Sequence, residues 1–163
     1  MVTILIVDDR PETLQTLETR LQNRGLVVAS ATNGIEAIAA CAAQNVEAVL
    51  MDMNMPEMDG CEATEFLKSQ DSTRSIPIII CSAHPLPGDE ARAIAAGCDG
   101  FIEKPIVLKQ FLELLGELLQ QSFDLNDTAE LGDIRAALVS DAKPTVLPAT
   151  DAILLPIRPS TNN

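Results

Sequence analysis

The sequence contains no tryptophan and no tyrosine, and aromatic residues make up only 2% of its 163 residues. A hydrophobic core built without large rings must rely on isoleucine, leucine, valine and alanine. Aliphatic side chains of this kind are plentiful, since 47% of the residues are hydrophobic. The composition therefore predicts a folded domain with an aliphatic core.

Positive charge is also scarce, because 11 lysines and arginines stand against 24 acidic residues and give a formal net charge of −13. A protein that binds nucleic acid neutralises phosphates with basic side chains, so this balance argues against a nucleic-acid partner. An acidic surface keeps a protein soluble, and it also suits a domain that attracts a metal cation or a basic protein face.

Long apolar runs and paired cysteines are missing as well. No run approaches the roughly 20 apolar residues of a membrane-spanning helix, and Met1 leads into the first predicted strand without room for a targeting peptide. The cysteines lack the short paired spacing of zinc sites, so we expect small buried side chains in a reducing compartment. We therefore expect a cytoplasmic protein with no membrane partner. The four cysteines are Cys41, Cys61, Cys81 and Cys98.

Five short apolar segments alternate with five segments of helical periodicity. The apolar segments do not alternate with polar residues, which is typical of strands buried on both faces of a sheet. The order of the segments predicts an α/β fold with a doubly wound parallel sheet between two layers of helices. The predicted strands cover residues 2–7, 26–31, 48–51, 78–81 and 98–103, and the last helix covers about residues 107–121.

Apolar residues at helical spacing predict which helix faces are buried. Ile35 on the second helix and Phe66 on the third are expected to face the core. The last helix carries a leucine stripe, and Leu114 lies off this stripe. Two explanations for Leu114 remain open: a wide core stripe that the following segment partly covers, or a surface for a dimer or partner.

Polar side chains follow four of the five predicted strands at the point where each strand ends. Right-handed crossovers bring the carboxyl ends of parallel strands to one edge of the sheet, so we expect these side chains to lie together. Carboxylates held close together repel one another unless a cation lies among them, and oxygen ligands suit Mg²⁺. A hydroxyl and an ammonium group beside such a metal complete the requirements of phosphoryl chemistry. The residues are Asp8 and Asp9, then Asp52, Ser82 and Lys104.

These motifs, in this order and spacing, resemble those of response-regulator receiver domains, the phospho-accepting partners of sensor histidine kinases in two-component signalling. The resemblance covers about residues 1–122 and implies a flavodoxin-like sheet of five strands in the order 2-1-3-4-5. The matching segments are ILIVDD at residues 4–9, MDMNMPEMDG at 51–60, IIICSA at 78–83 and AGCDGFIEKPI at 96–106.

The resemblance implies that Asp52 is the phosphoacceptor. It also implies that Asp8, Asp9 and Asp52 hold Mg²⁺ together with the backbone carbonyl of Asn54. The Asn54 side chain would tune the lifetime of the phosphoryl group. A protein of this kind catalyses only its own phosphorylation and dephosphorylation and is not otherwise an enzyme.

Further residues take roles from the same resemblance. Lys104 would pair with the phosphoryl group, and the Ser82 hydroxyl would move toward it after phosphorylation. Phe101 occupies the position of an aromatic side chain that swings inward with that hydroxyl. His84 would control the attacking water, although it could also be a plain surface residue. The peptide bond before Pro105 would be cis.

Residues 123–163 differ in composition from the rest of the chain. Asp127 could cap a short helix through about Ser140, and four prolines from Lys143 onward predict a flexible tail. This extension is too short and too poor in basic residues for a DNA-binding output module. The expected output is a downstream protein that binds the face containing the fourth and fifth helices and the strand of Phe101. A homodimer through the last helices remains an open alternative.

Three alternatives compete with a phosphorylated receiver. A degenerate receiver would act as a phosphorylation-independent interaction module, although all five active-site residues are present. A haloacid-dehalogenase-type phosphatase requires a second aspartate where this chain has Asn54. A flavin-binding domain would need stacking aromatic residues and a phosphate-cradling loop, and the carboxylates of Asp8 and Asp9 would repel the phosphate.

Overall fold

The computed structural model describes residues 1–123, 125 and 145–146. Within these residues, strands and helices alternate along the chain and the strands form one sheet. The elements are β1 (Thr3–Val7), α1 (Pro11–Gln22), β2 (Val27–Ala31), α2 (Gly34–Ala43), β3 (Ala48–Asp52), α3 (Gly60–Ser69), β4 (Ile78–Ser82), α4 (Asp89–Ala96), β5 (Gly100–Glu103), α5 (Leu108–Leu119) and β6 (Thr145–Val146).

The sheet has the strand order β2-β1-β3-β4-β5-β6. The first five strands are parallel, and β6 runs antiparallel to β5. The predicted fold class and the order 2-1-3-4-5 are therefore confirmed, with one short strand added at the β5 edge. The carboxyl ends of β1, β3, β4 and β5 lie along one edge of the sheet, as the right-handed crossovers require.

Two hydrophobic clusters cover the two faces of the sheet. Leu5 and Val7 of β1 point to the side of α2, α3 and α4, whereas Ile4 and Ile6 point to the side of α1 and α5. Both faces are thus buried, which explains why the strand sequences show no polar alternation. All four cysteines are buried and free, as expected.

Two side chains that were expected in the core are exposed. Ile35 is 52% exposed and Phe66 is 45% exposed. The reason is that α2 and α3 approach each other through small residues. A Cβ atom added at Gly34 would lie 2.9 Å from the Cβ atom of Ala63, and Ala37 is completely buried. Large side chains do not fit in so close a contact, so they point outward.

Leu114 lies inside the core rather than on a free surface. It is only 2% exposed and belongs to the cluster between the sheet and α5, and Phe123 and Leu125 pack against the same cluster. The buried arc of α5 is therefore wider than the predicted stripe, and the chain after α5 folds back to cover part of it. The observation that suggested a dimer surface at Leu114 no longer supports one.

The C-terminal extension is described only at two residues beyond residue 125. The predicted helix from Asp127 to Ser140 lies outside the described residues, and so does the predicted tail except for Thr145–Val146. These two residues form β6, with Val146 opposite Gly100 and Thr145 opposite Phe101. In the part of the chain that the structure describes, no helix combines the length and the apolar character that crossing a membrane requires.

A buried lysine joins α3 to the starts of β4 and β5. The ammonium group of Lys68 donates hydrogen bonds to the carbonyl oxygen of Arg74 at 3.1 Å and to that of Ile76 at 2.8 Å. It also binds the carboxylate of Asp99 at 2.8 Å, which in turn accepts a hydrogen bond from the backbone N–H of Ile78. The lysine side chain is 11% exposed, and its bonds to Ile76 and Asp99 are partly buried, so water replaces these two bonds only in part.

We expect Lys68→Met to lower the free energy of unfolding by about 2 kcal/mol, because it removes the lysine donor from one carboxylate and two carbonyl oxygens. Urea denaturation followed by far-UV circular dichroism measures this loss, since the chain has no tryptophan for fluorescence. Lys109→Met is the matched control, because Lys109 is an exposed lysine on α5. Equal stabilities for the two variants would contradict the structural role of Lys68.

Candidate functional site

Three carboxylates meet at the carboxyl edge of the sheet. Asp8 follows β1 directly, Asp9 is the next residue, and Asp52 is the last residue of β3. Each offers an oxygen atom, and these atoms lie within 4.8 Å of one another. Asp8 and Asp52 are buried whereas Asp9 is exposed, so the cluster has one open side.

Lys104 supplies the positive charge next to this cluster. Its ammonium group lies 2.6 Å from Oδ2 of Asp8 and 3.3 Å from Oδ1 of Asp52. The lysine side chain is 10% exposed. It is positioned by the end of β5, because its backbone N–H donates to the carbonyl oxygen of Ser82 at 2.8 Å. The Lys104–Pro105 peptide bond is cis, as the resemblance implied.

The local environment changes the acidity of both charged groups. Burial raises the pKa of Asp52; the charge of Lys104 counteracts this effect, and that of Asp8 adds to it. Burial alone would lower the pKa of Lys104, but neighbouring acidic groups, first Cys81 and then Asp8, raise it above its ordinary value. Proton binding by Asp52 is thus favoured by the dry surroundings and opposed by the lysine.

Arg10 is a second cation at the cluster that the sequence pattern did not single out. Its backbone N–H donates to Oδ1 of Asp8 at 2.9 Å, and its guanidinium Nε lies 3.6 Å from the same oxygen. The sequence feature that could have indicated this contact is the position of Arg10 directly after Asp8 and Asp9. Asp8 is thus bound by Arg10 on one oxygen and by Lys104 on the other.

Ser82 and Phe101 lie behind the cluster on adjacent strands. Ser82 is the last residue of β4 and is completely buried, and its hydroxyl has no hydrogen-bond partner among the described residues. Phe101 is 6% exposed and pairs with Ile80 of β4. A buried hydroxyl without a partner is uncommon, because it loses its bonds to water without replacement.

The loop between β3 and α3 carries Asn54 to the surface beside the cluster. The backbone N–H of Asn54 donates to the Asp52 carboxylate and works to lower its pKa. The loop is closed by a hydrogen bond from the N–H of Gly60 to the carbonyl oxygen of Met53 at 2.9 Å. At the start of α3, the Asp59 carboxylate and Glu62 form a capping box, which fixes the return of the chain.

The loop is also tied to α4. The guanidinium group of Arg92 on α4 binds the free carboxylate oxygen of Asp59. A movement of the loop would therefore pull on α4 through this ion pair or break it.

A groove opens beside the cluster, between α1 and the segments that follow β4 and β5. It has a volume of about 520 Å³. Leu17 and Ile106 contribute apolar surface, whereas Arg10, His84 and Lys104 lie on its polar side. His84 is exposed at the rim of this groove, and it forms no described hydrogen bond to the carboxylate cluster.

The residues present fit a hard divalent cation. The donor set is made of oxygen atoms alone, two buried carboxylates are held in place by cations, and the third is open to solvent. Mg²⁺ prefers oxygen ligands and retains some of its waters, which suits a cluster with an open side. The acidic cluster therefore fits Mg²⁺, with Asp8, Asp9 and Asp52 as its protein side chains.

Comparison with known proteins matches the sequence to one family. The profile of the response regulator receiver domain family aligns with residues 4–116. A polar-differentiation response regulator, DivK, of Brucella anthropi is 32% identical over 116 residues, which cover 71% of this chain and 94% of the relative.

Solved structures agree with this match. The signal receiver domain of a signal transduction histidine kinase from Syntrophus aciditrophicus is 32% identical, with a TM-score of 0.69 over 74% of this chain and 91% of that one. The receiver domain of a sensor histidine kinase from Pseudomonas aeruginosa is 30% identical, with a TM-score of 0.68 over 74% of this chain and 98% of that one. That structure contains a magnesium ion coordinated in the active site cleft.

Proposed function

Because the chain belongs to the response regulator receiver domain family, we propose that it accepts a phosphoryl group on Asp52 and signals through an altered protein-binding face. Proteins of this family act in signalling rather than as classical enzymes. The observation that carries the proposal is the meeting of Asp8, Asp9 and Asp52 with Lys104 at one edge of the sheet.

In the proposed reaction, an oxygen of the Asp52 carboxylate forms a bond to phosphorus as the bond to the leaving group breaks. The donor is a phosphohistidine of a sensor histidine kinase or phosphotransfer protein, whose imidazole leaves with the bonding electrons. Bound Mg²⁺ would supply positive charge to the transferring phosphoryl oxygens. Lys104 counteracts the rise that burial causes in the pKa of Asp52, and it is close enough to bind a phosphoryl oxygen by a small movement from Asp52.

The same geometry supports a response to phosphorylation. A phosphoryl group on Asp52 offers new acceptor oxygens, and the partnerless hydroxyl of Ser82 on the adjacent strand can donate to one of them. Phe101 on β5, which pairs with Ile80 two residues before Ser82 on β4, would repack when that hydroxyl moves. The bond between Arg92 and Asp59 would carry a change of the loop to α4.

Two surfaces next to the site support the proposed partners. The groove between α1 and the segment after β5 leads to the cluster and suits the donor protein. The face of α4, β5 and α5 adjoins Phe101 and suits a downstream protein. Leu114 is buried, so it does not support a homodimer through these last helices. A cytoplasmic location agrees with the free cysteines and with a kinase partner.

Incubation with Mg²⁺ and acetyl phosphate tests the phosphoacceptor. We expect intact mass spectrometry to show a single acid-labile phosphate adduct on the natural chain and none on Asp52→Asn. Removal of Mg²⁺ with EDTA should abolish the adduct. An adduct that persists in Asp52→Asn, or no adduct at all on the natural chain, would overturn the proposal.

His84 is proposed to influence loss of the phosphoryl group from its place at the rim of the groove. We expect His84→Ala to slow dephosphorylation about threefold, well below the 10²–10⁴-fold effect of a general base in contact with the reaction. The decay of the phosphate adduct after dilution of acetyl phosphate measures the rate. Leu86→Ala, in the same loop and 68% exposed, serves as the control. Identical rates for His84→Ala and the natural chain would remove His84 from the mechanism.

A further inference from the structure

The strand β6 gives the extension a position on the domain. It pairs with the first two residues of β5, with Val146 opposite Gly100 and Thr145 opposite Phe101. Without β6, β5 would be the last strand of the sheet and would expose unpaired backbone groups. The edge is therefore a strand-addition site, and its occupant is a segment of the same chain.

We propose that Thr145–Val146 is a built-in, reversible occupant of the β5 edge, and that its release is coupled to the phosphoryl-binding site. The inference rests on the proposed function, because the coupling requires a phosphoryl group on Asp52. It goes further in giving a regulatory role to a segment outside the receiver domain.

The coupling has a short physical route. β5 has only four residues, and β6 pairs with its first two. The other end of β5 reaches Lys104, whose N–H is bound to the carbonyl oxygen of Ser82 and whose ammonium group lies 3.3 Å from Asp52. Phe101, opposite Thr145, pairs with Ile80 on the other side of the strand. A shift at Ser82 and Lys104 therefore moves the strand to which β6 is paired.

Within the described residues, the pairing of β6 with β5 is short enough for the contact to be reversible. A two-residue antiparallel pairing provides at most one hydrogen-bonded residue pair, which is a small part of the contacts that hold a stable strand. The segment remains attached to the domain through residues 120–144, so it can return to the edge after release without a bimolecular encounter.

The sign of the coupling between β6 and the site follows from the positions of Lys104 and Ser82 while β6 is paired. With β6 in place, Asp52 is bound by Lys104 and the Ser82 hydroxyl has no partner among the described residues, which is the arrangement expected before phosphorylation. We infer that β6 favours this resting arrangement. By linkage, a ligand that favours the other arrangement must weaken the pairing, and loss of the pairing must strengthen binding of that ligand.

Two full-length variants separate the pairing from the side chains. Thr145→Pro/Val146→Pro removes both backbone N–H donors of β6. Thr145→Val/Val146→Thr exchanges the two side chains and keeps the backbone, so it is the matched control. Hydrogen exchange of the β5 amides measures the pairing, and titration with beryllofluoride in the presence of Mg²⁺, followed by NMR, measures affinity for a phosphoryl analogue.

We expect the double-proline variant to exchange an edge amide of β5 at least about tenfold faster than the natural chain, with the control unchanged. We expect it to bind beryllofluoride about threefold to tenfold more tightly, at the low end of allosteric couplings. In the natural chain, bound beryllofluoride should increase exchange at Thr145 and Val146.

Each contrary result would overturn a different part of the proposal. Equal exchange in the proline variant and the natural chain would refute the pairing, and equal affinities for beryllofluoride would refute the coupling. Protection that disappears on dilution would show that β6 pairs with a second chain instead of its own. If beryllofluoride binds none of the proteins, the proposed function fails and the coupling with it, while the exchange data still judge the pairing.

Discussion

Gly60→Ala is expected to lower the free energy of unfolding by about 3 kcal/mol and to abolish phosphorylation of Asp52. A Cβ atom at Gly60 would lie 2.2 Å from the carbonyl oxygen of Asp52 and 3.0 Å from the Cγ atom of Met51. The obstructing atom belongs to the backbone of β3, so it cannot move away as a side chain could. Overpacking of this kind costs about 1–3 kcal/mol, and here the cost falls at the upper end.

Gly60→Ala is also expected to disrupt the carboxylate cluster. Relief of the clash must move either the end of β3, which carries Asp52, or the start of α3, which closes the loop of Asn54. Movement of β3 displaces the carboxylate from Asp8 and Asp9, and movement of α3 displaces Asn54, whose backbone N–H binds that carboxylate.

Urea denaturation followed by circular dichroism measures the stability, and the acetyl phosphate assay measures the site. Gly25→Ala is the control, because Gly25 has a positive φ of 77° but no atom within 4 Å of an added Cβ. It should be destabilised by about 1 kcal/mol from backbone strain alone and keep its phosphorylation. A Gly60→Ala variant as stable and as readily phosphorylated as this control would show that the close packing is not needed.

Lys104→Met is expected to lower the free energy of unfolding in EDTA at neutral pH by about 2–4 kcal/mol. The lysine is the cation between Asp8 and Asp52, which are 2% and 6% exposed. Removal of one partner leaves buried negative charge without compensation, which costs about 3–5 kcal/mol in fully buried pairs. Protonation of Asp52, whose pKa is already raised by burial, recovers part of this cost.

The pH dependence has a definite sign. Because the pKa of Asp52 is higher in the folded chain than in the unfolded one, the folded chain binds the proton more strongly. Stability contributed by this group is therefore present at low pH and is lost as the pH rises through the folded pKa. Loss of Lys104 removes the charge that counteracts the shift, so Lys104→Met should gain more stability than the natural chain when the pH falls from 7 to 5.

Mg²⁺ should also stabilise Lys104→Met more than it stabilises the natural chain, because the ammonium group no longer competes for the same oxygens. Denaturation curves with Mg²⁺ and with EDTA at pH 5 and pH 7 measure both effects. The exposed-lysine variant Lys109→Met should behave like the natural chain. If Lys104→Met matched the natural chain under all four conditions, the lysine would have no electrostatic role at the cluster.

The sheet and the carboxyl-edge cluster could be predicted because their signals are local. Buried parallel strands are short apolar runs, and a polar residue at the end of such a run lies at the edge of the sheet. The residues at these ends, such as Asp52 and Ser82, therefore lie where the sequence predicted them.

The burial of helix faces was harder to predict because it depends on the partner that each helix meets. Ile35 and Phe66 were expected inside because they are large and apolar, yet the contact between α2 and α3 uses the smallest residues. For Leu114, one of the two open explanations is correct: the core stripe of α5 is wide, and Phe123 and Leu125 pack against the same cluster. The local pattern alone did not decide between the two explanations, because the covering residues follow the helix.

The strand β6 could not be predicted for a similar reason. Two residues are too short for any periodicity, and Thr145 and Val146 form a strand only because β5 offers its edge. The contact between Arg10 and Asp8 was not predicted, because it depends on the turn after β1 rather than on a motif.

The Ser82 hydroxyl, which has no hydrogen-bond partner among residues 1–123, 125 and 145–146, has a consequence for the unmodified protein. A buried polar group without a hydrogen bond costs about 1–3 kcal/mol, and this cost raises the energy of the resting conformation alone. A conformation in which the hydroxyl is bonded becomes about 5 to 150 times more populated than it would be if the resting hydroxyl were satisfied. Under the proposed function, Ser82→Ala would remove this bias as well as the new bond, so we expect the variant to populate the signalling conformation less than the natural chain in the absence of a phosphoryl group.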